Sequence, residues 1–190
     1  MVTTAERGKQ VRQRLLTAAI ELIPERGWHA VSTRQLAERA GVAPGLVHYH
    51  FDSLSALLRA AAVAAMRQTV TEAEDVLSEV TDAATGLDAL LRALDDYTGT
   101  DPTSLLFIET YLAATRDEAL RADLADVLDG FRARLSRWLD GVGTPDPAST
   151  AAVLAASIDG LLLHRALHPD LTARVASPVL LRVLTDREGN

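Results

Sequence analysis

Apolar positions recur at helical spacing through most of the chain, and no stretch alternates over six residues as a half-buried strand does. Val11, Leu15, Ala19 and Leu22 form one stripe, which predicts a first helix over about 6–25 behind a loose tail at 1–6. Pro24 falls in its last turn, where a proline removes a hydrogen bond and either tightens the helix or stops it a turn early; Gly27 is the terminator. Trp28 and Val31 are expected to pack back on that helix. Leu36, Ala37 and Ala40 mark a second helix over 33–40, with Ser32 and Thr33 as cap candidates and Gly41 closing it. Pro44 suits the first position of a very short third helix ending at His50, because its missing N–H is not needed there. Phe51 is a core plug, and Asp52 and Ser53 cap a long fourth helix over about 54–80.

The pattern then predicts a break at 81–86, a fifth helix over about 87–97, a loop at 98–102 and a sixth helix over about 103–115. Asp117 caps a seventh helix over about 118–140, and the sequence GVGTPDP is a loop. An eighth helix has Ser149 and Thr150 in its first turn and runs to about 168. Its core, AVLAASIDGLLLHRAL, is apolar nearly all round, so it must be covered on more than one side, which suggests a subunit interface. A last helix lies within 172–187; Pro178 either kinks it or follows a Ser177 cap that starts it. The fold class is therefore all-α, with about nine helices and no fixed-period repeat.

Composition changes this picture little. At 190 residues with 48% apolar content, burial is not limiting. There is no cysteine, so no disulfide framework and no cysteine metal site. The N-terminus has no apolar segment of signal-peptide length and no run of 18 apolar residues occurs, so a soluble, cytoplasmic protein without a membrane partner is expected. Charge changes the picture more. The net −7 is unevenly spread: residues 1–59 hold eight Lys/Arg against five Asp/Glu, residues 60–190 eleven against twenty-one. A mildly basic head on an acidic body can meet DNA in one orientation only.

The stretch 32–58 concentrates the chemistry. Two short helices joined by a tight turn, the second loaded with Leu46, His48, Tyr49 and His50, match the geometry that enters a DNA major groove. The segment TRQLAERAGVAPGLVHYHF followed by SLSALL resembles the DNA-binding head of the TetR family of bacterial repressors, over about residues 10–60. The acidic helical remainder, with LLFIETYLAATRD and SIDGLLLHRALHPDL, is similar in kind to the bodies of that family. The resemblance implies a helix-turn-helix DNA-binding domain at 1–53 and a ligand-binding and dimerisation domain at 54–190. It implies a homodimer that binds a palindromic operator in double-stranded DNA, usually as a repressor that a small-molecule effector releases.

By position in the motif, Thr33 is to hold a phosphate at the start of the second helix and Arg34 to reach a base edge or phosphate. Pro44, Gly45 and Leu46 occupy the groove-facing start of the third helix, and His48, Tyr49 and His50 the places of backbone contacts and their supports. Helix N-termini favour phosphate, and arginine pairs with guanine. Three residues depart from the family pattern. Ala43 stands where a serine cap is common, Leu46 where a polar residue is common, and Leu54 where a lysine is common. The helices that line the effector cavity in the family carry Met66, Tyr97, Phe107, Thr110, Tyr111, Phe131, Leu135 and Trp138 here, with Glu109 and Arg116 as further candidates. The intersubunit bundle is expected to use Leu154, Ile158, Leu161, Leu162, Arg165, Leu180 and Leu184.

Other constellations carry less. His164 and His168 lie four apart, a spacing a metal can bridge, but no third ligand is evident. No Ser–His–Asp set and no glycine-rich phosphate loop is present, so no catalytic residue, metal site or cofactor is expected. The rival reading is a helical small-molecule-binding protein or enzyme with a vestigial DNA-binding head.

Overall fold

The computed structural model describes residues 3–78 and 80–185; among them nine α-helices and two short 3-10 turns account for the regular structure. The helices are α1 (Thr4–Arg26), α2 (Thr33–Ala40), α3 (Gly45–His50), α4 (Leu54–Ser78), α5 (Ala83–Ala93), α6 (Pro102–Ala114), α7 (Glu118–Gly141), α8 (Pro147–Arg165) and α9 (Ala173–Thr185). The 3-10 turns are Trp28–Ala30 and Leu94–Asp96. The chain divides into two compact units, residues 1–66 with 105–124 and residues 67–104 with 125–190.

In the first unit α1 packs against α2 and α3. It starts earlier than its apolar stripe predicts, because a capping box closes its first turn: Thr3 accepts from the Glu6 N–H while the Glu6 carboxylate accepts from the Thr3 N–H. Residues 3–6 are therefore not a loose tail; 1 and 2 lie outside the described residues. The helix runs past Pro24 to Arg26, close to its expected end, so of the two alternatives the early stop does not occur. Gly27 ends it at φ 87°, a conformation that side-chain-bearing residues rarely adopt, with its N–H on the Ile23 carbonyl. Trp28 and Val31 are buried as expected. α2 has a second capping box, formed by Ser32 and Gln35, and Gly41 closes it in the left-handed conformation. The core of the head is Leu15, Leu22, Ile23, Leu36 and Val47, joined by Phe51.

In the second unit α5 lies on α9, and α8 also meets α9. The predicted start of the fifth helix at 87 is corrected to Ala83, since the Asp82 side chain caps that turn through the Thr85 N–H. Gly86, read as part of a break, is a buried helical residue: a Cβ there would stand 2.1 Å from Cζ2 of Trp138. The helix gives way to the 3-10 turn at Leu94, so it does not reach Tyr97 as one α-helix. α8 begins at Pro147 behind an Asp146 cap and ends at Arg165 rather than 168. Pro178 lies inside α9, so that helix does not start at Ser177; residues 186 and 187 lie outside the described residues.

A buried arginine organises this unit. Arg165, 4% exposed, donates to Asp95 Oδ1 at 2.6 Å, to the Leu171 carbonyl at 2.7 Å and to the carbonyls of Leu94 and Tyr97. Asp95 Oδ1 also accepts the Ala173 N–H at 2.9 Å, so one carboxylate holds both the guanidinium and the first turn of α9. Gly99, at φ 83°, lets the neighbouring loop touch the Ala166 backbone, where a Cβ would meet the amide nitrogen at 2.3 Å.

Candidate nucleic-acid interface

The α2–α3 pair presents a largely solvent-facing surface. Arg34, Pro44, Gly45, His48 and Tyr49 are exposed, Tyr49 at 79%, while Thr33, Leu46 and His50 are half-buried. An exposed tyrosine of that degree makes no core, and its hydroxyl is free to meet an acceptor such as phosphate. Thr33 is the first residue of α2, with Ser32 holding the cap. A Cβ at Gly45 would meet nothing within 4 Å, so packing does not require glycine there. No side chain caps α3, in line with an alanine at 43; the Leu46 N–H goes to the Ala43 carbonyl instead. Val47, which the sequence reading passed over, is the fully buried anchor that leaves its neighbours facing out.

The first turns of α1 belong to the same surface. The Gly8 backbone lies against the His50 ring, whose Cε1 is 3.8 Å from a Cβ built at Gly8. His50 in turn meets Tyr49 edge-on at 5.0 Å. Arg7 and Lys9 are exposed beside this corner. The run RGKQVR signals them in the sequence, but only the packing of α1 on α3 brings them to the recognition helix. Three other basic residues of the head are committed. The Arg12 guanidinium stacks over Phe51 at 4.9 Å, Arg14 donates to the Gly41 carbonyl, and Arg39 is ion-paired with Glu21 and Glu25. The Arg39 guanidinium in turn holds the Glu25 carboxyl below the usual range.

The body candidates fall in both units. In the first, Met66 and Thr110 are fully buried, and Phe107 and Tyr111 are half-buried. The Thr110 hydroxyl donates to the Leu106 carbonyl at 2.7 Å. The Glu109 carboxylate accepts the Trp28 N–H at 2.8 Å and holds the turn behind Gly27. In the second unit, Phe131, Leu135 and Trp138 line a surface groove of about 220 Å³ with Leu77, where Glu74 and Arg134 form an ion pair. The Trp138 indole N–H donates to the Val80 carbonyl at 3.1 Å. Tyr97 is half-buried, and burial pushes its hydroxyl pKa up.

The dimerisation candidates lie mostly against the protomer's own core. Leu154, Ile158, Arg165 and Leu184 are buried inside the protomer, and Leu161, Leu162 and Leu180 are half-buried against the same core. A helix apolar all round spends one face on its own core, so the face left over is a different one. Among the described residues, the large apolar side chains left exposed on and after α8 and on α9 are Val153, Leu163, Leu167, Val175 and Val179. His164, in the last turn of α8, and His168, just past its end, stack at 6.4 Å, and among the described residues no group of three potential ligands could hold a metal.

A family model for the N-terminal region of "Bacterial regulatory proteins, tetR family" matches residues 15–61. A second, "Tetracyclin repressor-like, C-terminal domain", matches residues 81–186, more than half of the chain. The chain belongs to the TetR family. Among curated relatives of this TetR-family regulator is the HTH-type transcriptional regulator BetI of Rhizobium meliloti, 30% identical over 171 residues, covering 82% of this chain and 78% of BetI. A transcriptional regulator from Streptomyces coelicolor A3(2) superposes with a TM-score of 0.79 at 30% identity, covering 93% of this chain and 99% of that one. The multidrug binding protein EbrR, solved with imidazole, gives a TM-score of 0.70 at 31% identity, covering 93% and 96%. The protein is a DNA-binding transcriptional regulator with the helix-turn-helix head and helical body of that family.

Proposed function

We propose that this regulator is a homodimeric repressor that leaves a palindromic operator when a small molecule binds its body. The observation that carries the reading is the outward set Arg34, Pro44, Gly45, His48 and Tyr49 on α2 and α3, held by the buried Val47 and Leu36. Arg34 reads a base edge or phosphate, Thr33 offers the α2 N-terminus to phosphate, and Leu46 reads by apolar contact, for instance with a thymine methyl. Arg7 and Lys9 add phosphate contacts. Residues 1–53 carry DNA, and 54–190 carry ligand and dimer contacts.

Two copies associate through the exposed face of α8 and α9, and two heads reach half-sites about 34–36 Å apart. α8 is long and apolar enough to cross a membrane, yet Leu154, Ala155, Ile158 and Arg165 are buried in the protomer. We read its open side as the place of a second copy, and the protein as cytoplasmic and without enzymatic activity. The effector site uses the apolar body residues, as fits a chain similar to a multidrug binding protein. The effector binds the DNA-incompetent state more tightly, with a coupling of about 1–3 kcal/mol.

A gel shift with DNA upstream of the protein's own gene tests this reading. The wild type is expected to bind, and Arg34→Ala to weaken binding by about tenfold or more. Failure of the wild type on every genomic fragment at low salt would favour a ligand carrier or enzyme with a vestigial head.

A further inference from the structure

The first unit contains a larger groove, of whose lining only Leu54 and Arg116 figure in the DNA and body readings. It measures about 600 Å³ and lies between the 3-10 turn Trp28–Ala30, the first turns of α4 and the α6–α7 turn. That volume is in the range of small-molecule sites. Trp28, Val31, Leu54, Leu58, Ala113 and Ala119 supply apolar wall. The charged groups divide into spent and unspent. Asp117 accepts the Leu120 N–H at 3.0 Å and the Ser55 hydroxyl at 3.1 Å, so its oxygens are occupied. Glu118 points to solvent with 90% of its side chain exposed and pairs with Arg121. Arg59, close by in sequence on α4, pairs with Asp123. Arg116 and His29 also line the groove, and among the described residues neither side chain has a hydrogen-bond or ion-pair partner.

The exposed Arg116 guanidinium and His29 imidazole stand at the edge of this apolar wall, where they can receive a small organic anion. We propose that this groove is a second, regulatory binding site for a small amphipathic carboxylate, its charge taken by Arg116 and its apolar body laid on Val31, Leu54 and Leu58. The site is distinct from the Phe131–Trp138 groove, which lies in the other unit. Its occupant touches both the turn that follows α1 and the first turn of α4, which flank the α2–α3 pair in sequence. Occupancy therefore biases the head and changes operator affinity; that consequence rests on the repressor reading, whereas the binding itself does not.

Calorimetry on the full chain with 2-naphthoate, and with uncharged 2-naphthamide of the same shape, tests the proposal. The carboxylate is expected to bind and the amide to bind at least about tenfold more weakly, as follows when a charge-assisted hydrogen bond is lost. Arg116→Gln, an exposed position, is expected to abolish that preference. Ala119→Trp, also exposed, fills the groove and is expected to block both compounds. Arg137→Gln, in the other groove, is expected to leave binding unchanged. Absence of naphthoate binding, equal binding of the amide, or sensitivity to Arg137→Gln with none to Arg116→Gln would overturn the site. A gel shift with and without naphthoate reads the consequence separately: binding without any change in operator affinity overturns the regulatory half of the proposal. A wild type that binds no operator at all counts against the repressor reading instead.

Discussion

Gly86 sits in the interior of α5 with the indole of Trp138 where its side chain would be. The indole is tied in place by its bond to the Val80 carbonyl, so it cannot swing away cheaply. Gly86→Ala should therefore destabilise the protein by about 1–3 kcal/mol, although alanine is the better helix former, because overpacking outweighs propensity here. Thermal unfolding checks this; a raised midpoint would refute it. Leu54 poses a different question at the same scale. It is half-buried at the first position of α4, where the Ser53 hydroxyl accepts the Ala56 N–H. Leu54→Lys should tighten operator binding and steepen its salt dependence by about one phosphate, without altering sequence preference. The helix dipole opposes a cation there, so stability should fall by a few tenths of a kcal/mol, roughly. A salt titration showing an unchanged slope would exclude the start of α4 from the DNA backbone.

Elements were legible where their ends carry side-chain caps that sequence spells out. Asp117 before α7 and Ser32 before α2 stand where their motifs predict. The Asp117 carboxyl is held below the usual aspartate range, first by the Leu120 N–H, against a smaller burial effect. A carboxyl pKa lower in the folded state contributes stability above its unfolded value and loses it as pH falls through the folded value. Acid should thus weaken the start of α7 below about pH 4, and Asp117→Ala should cost about 1 kcal/mol at neutral pH while flattening the acid limb. Urea midpoints between pH 7 and pH 2 measure both; parallel curves for variant and wild type would contradict the assignment. Ends were less legible where a competing signal misled. Gly86 resembles a breaker until Trp138 is placed over it, and Thr3 resembles tail until Glu6 folds back on it.

For the whole molecule, the proposed dimer rests on the apolar face of α8 and α9. Val153 and Leu163 are 53% and 54% exposed, whereas Leu154 is 1% exposed on the same helix. Val153→Glu with Leu163→Glu should give folded monomers that bind operator at least about tenfold more weakly, because two weak half-site contacts no longer act together. Sedimentation reads the association, and a variant that remains dimeric would move the interface elsewhere. The sequence by itself determined the all-helical class, the head with its outward Arg34, His48 and Tyr49, and the acidic body. Those features rest on local periodicity, caps and the A-G-V turn, which short-range sterics settle. Tertiary structure alone decided which apolar side chains on α8 stay exposed and that Arg165 is a buried node on Asp95. It alone gave Glu109 to the Trp28 N–H and left Arg116 unmatched beside an apolar wall. These outcomes depend on partners distant in sequence, from 70 residues away for Arg165 to 81 for Glu109, and periodicity carries no record of such pairings.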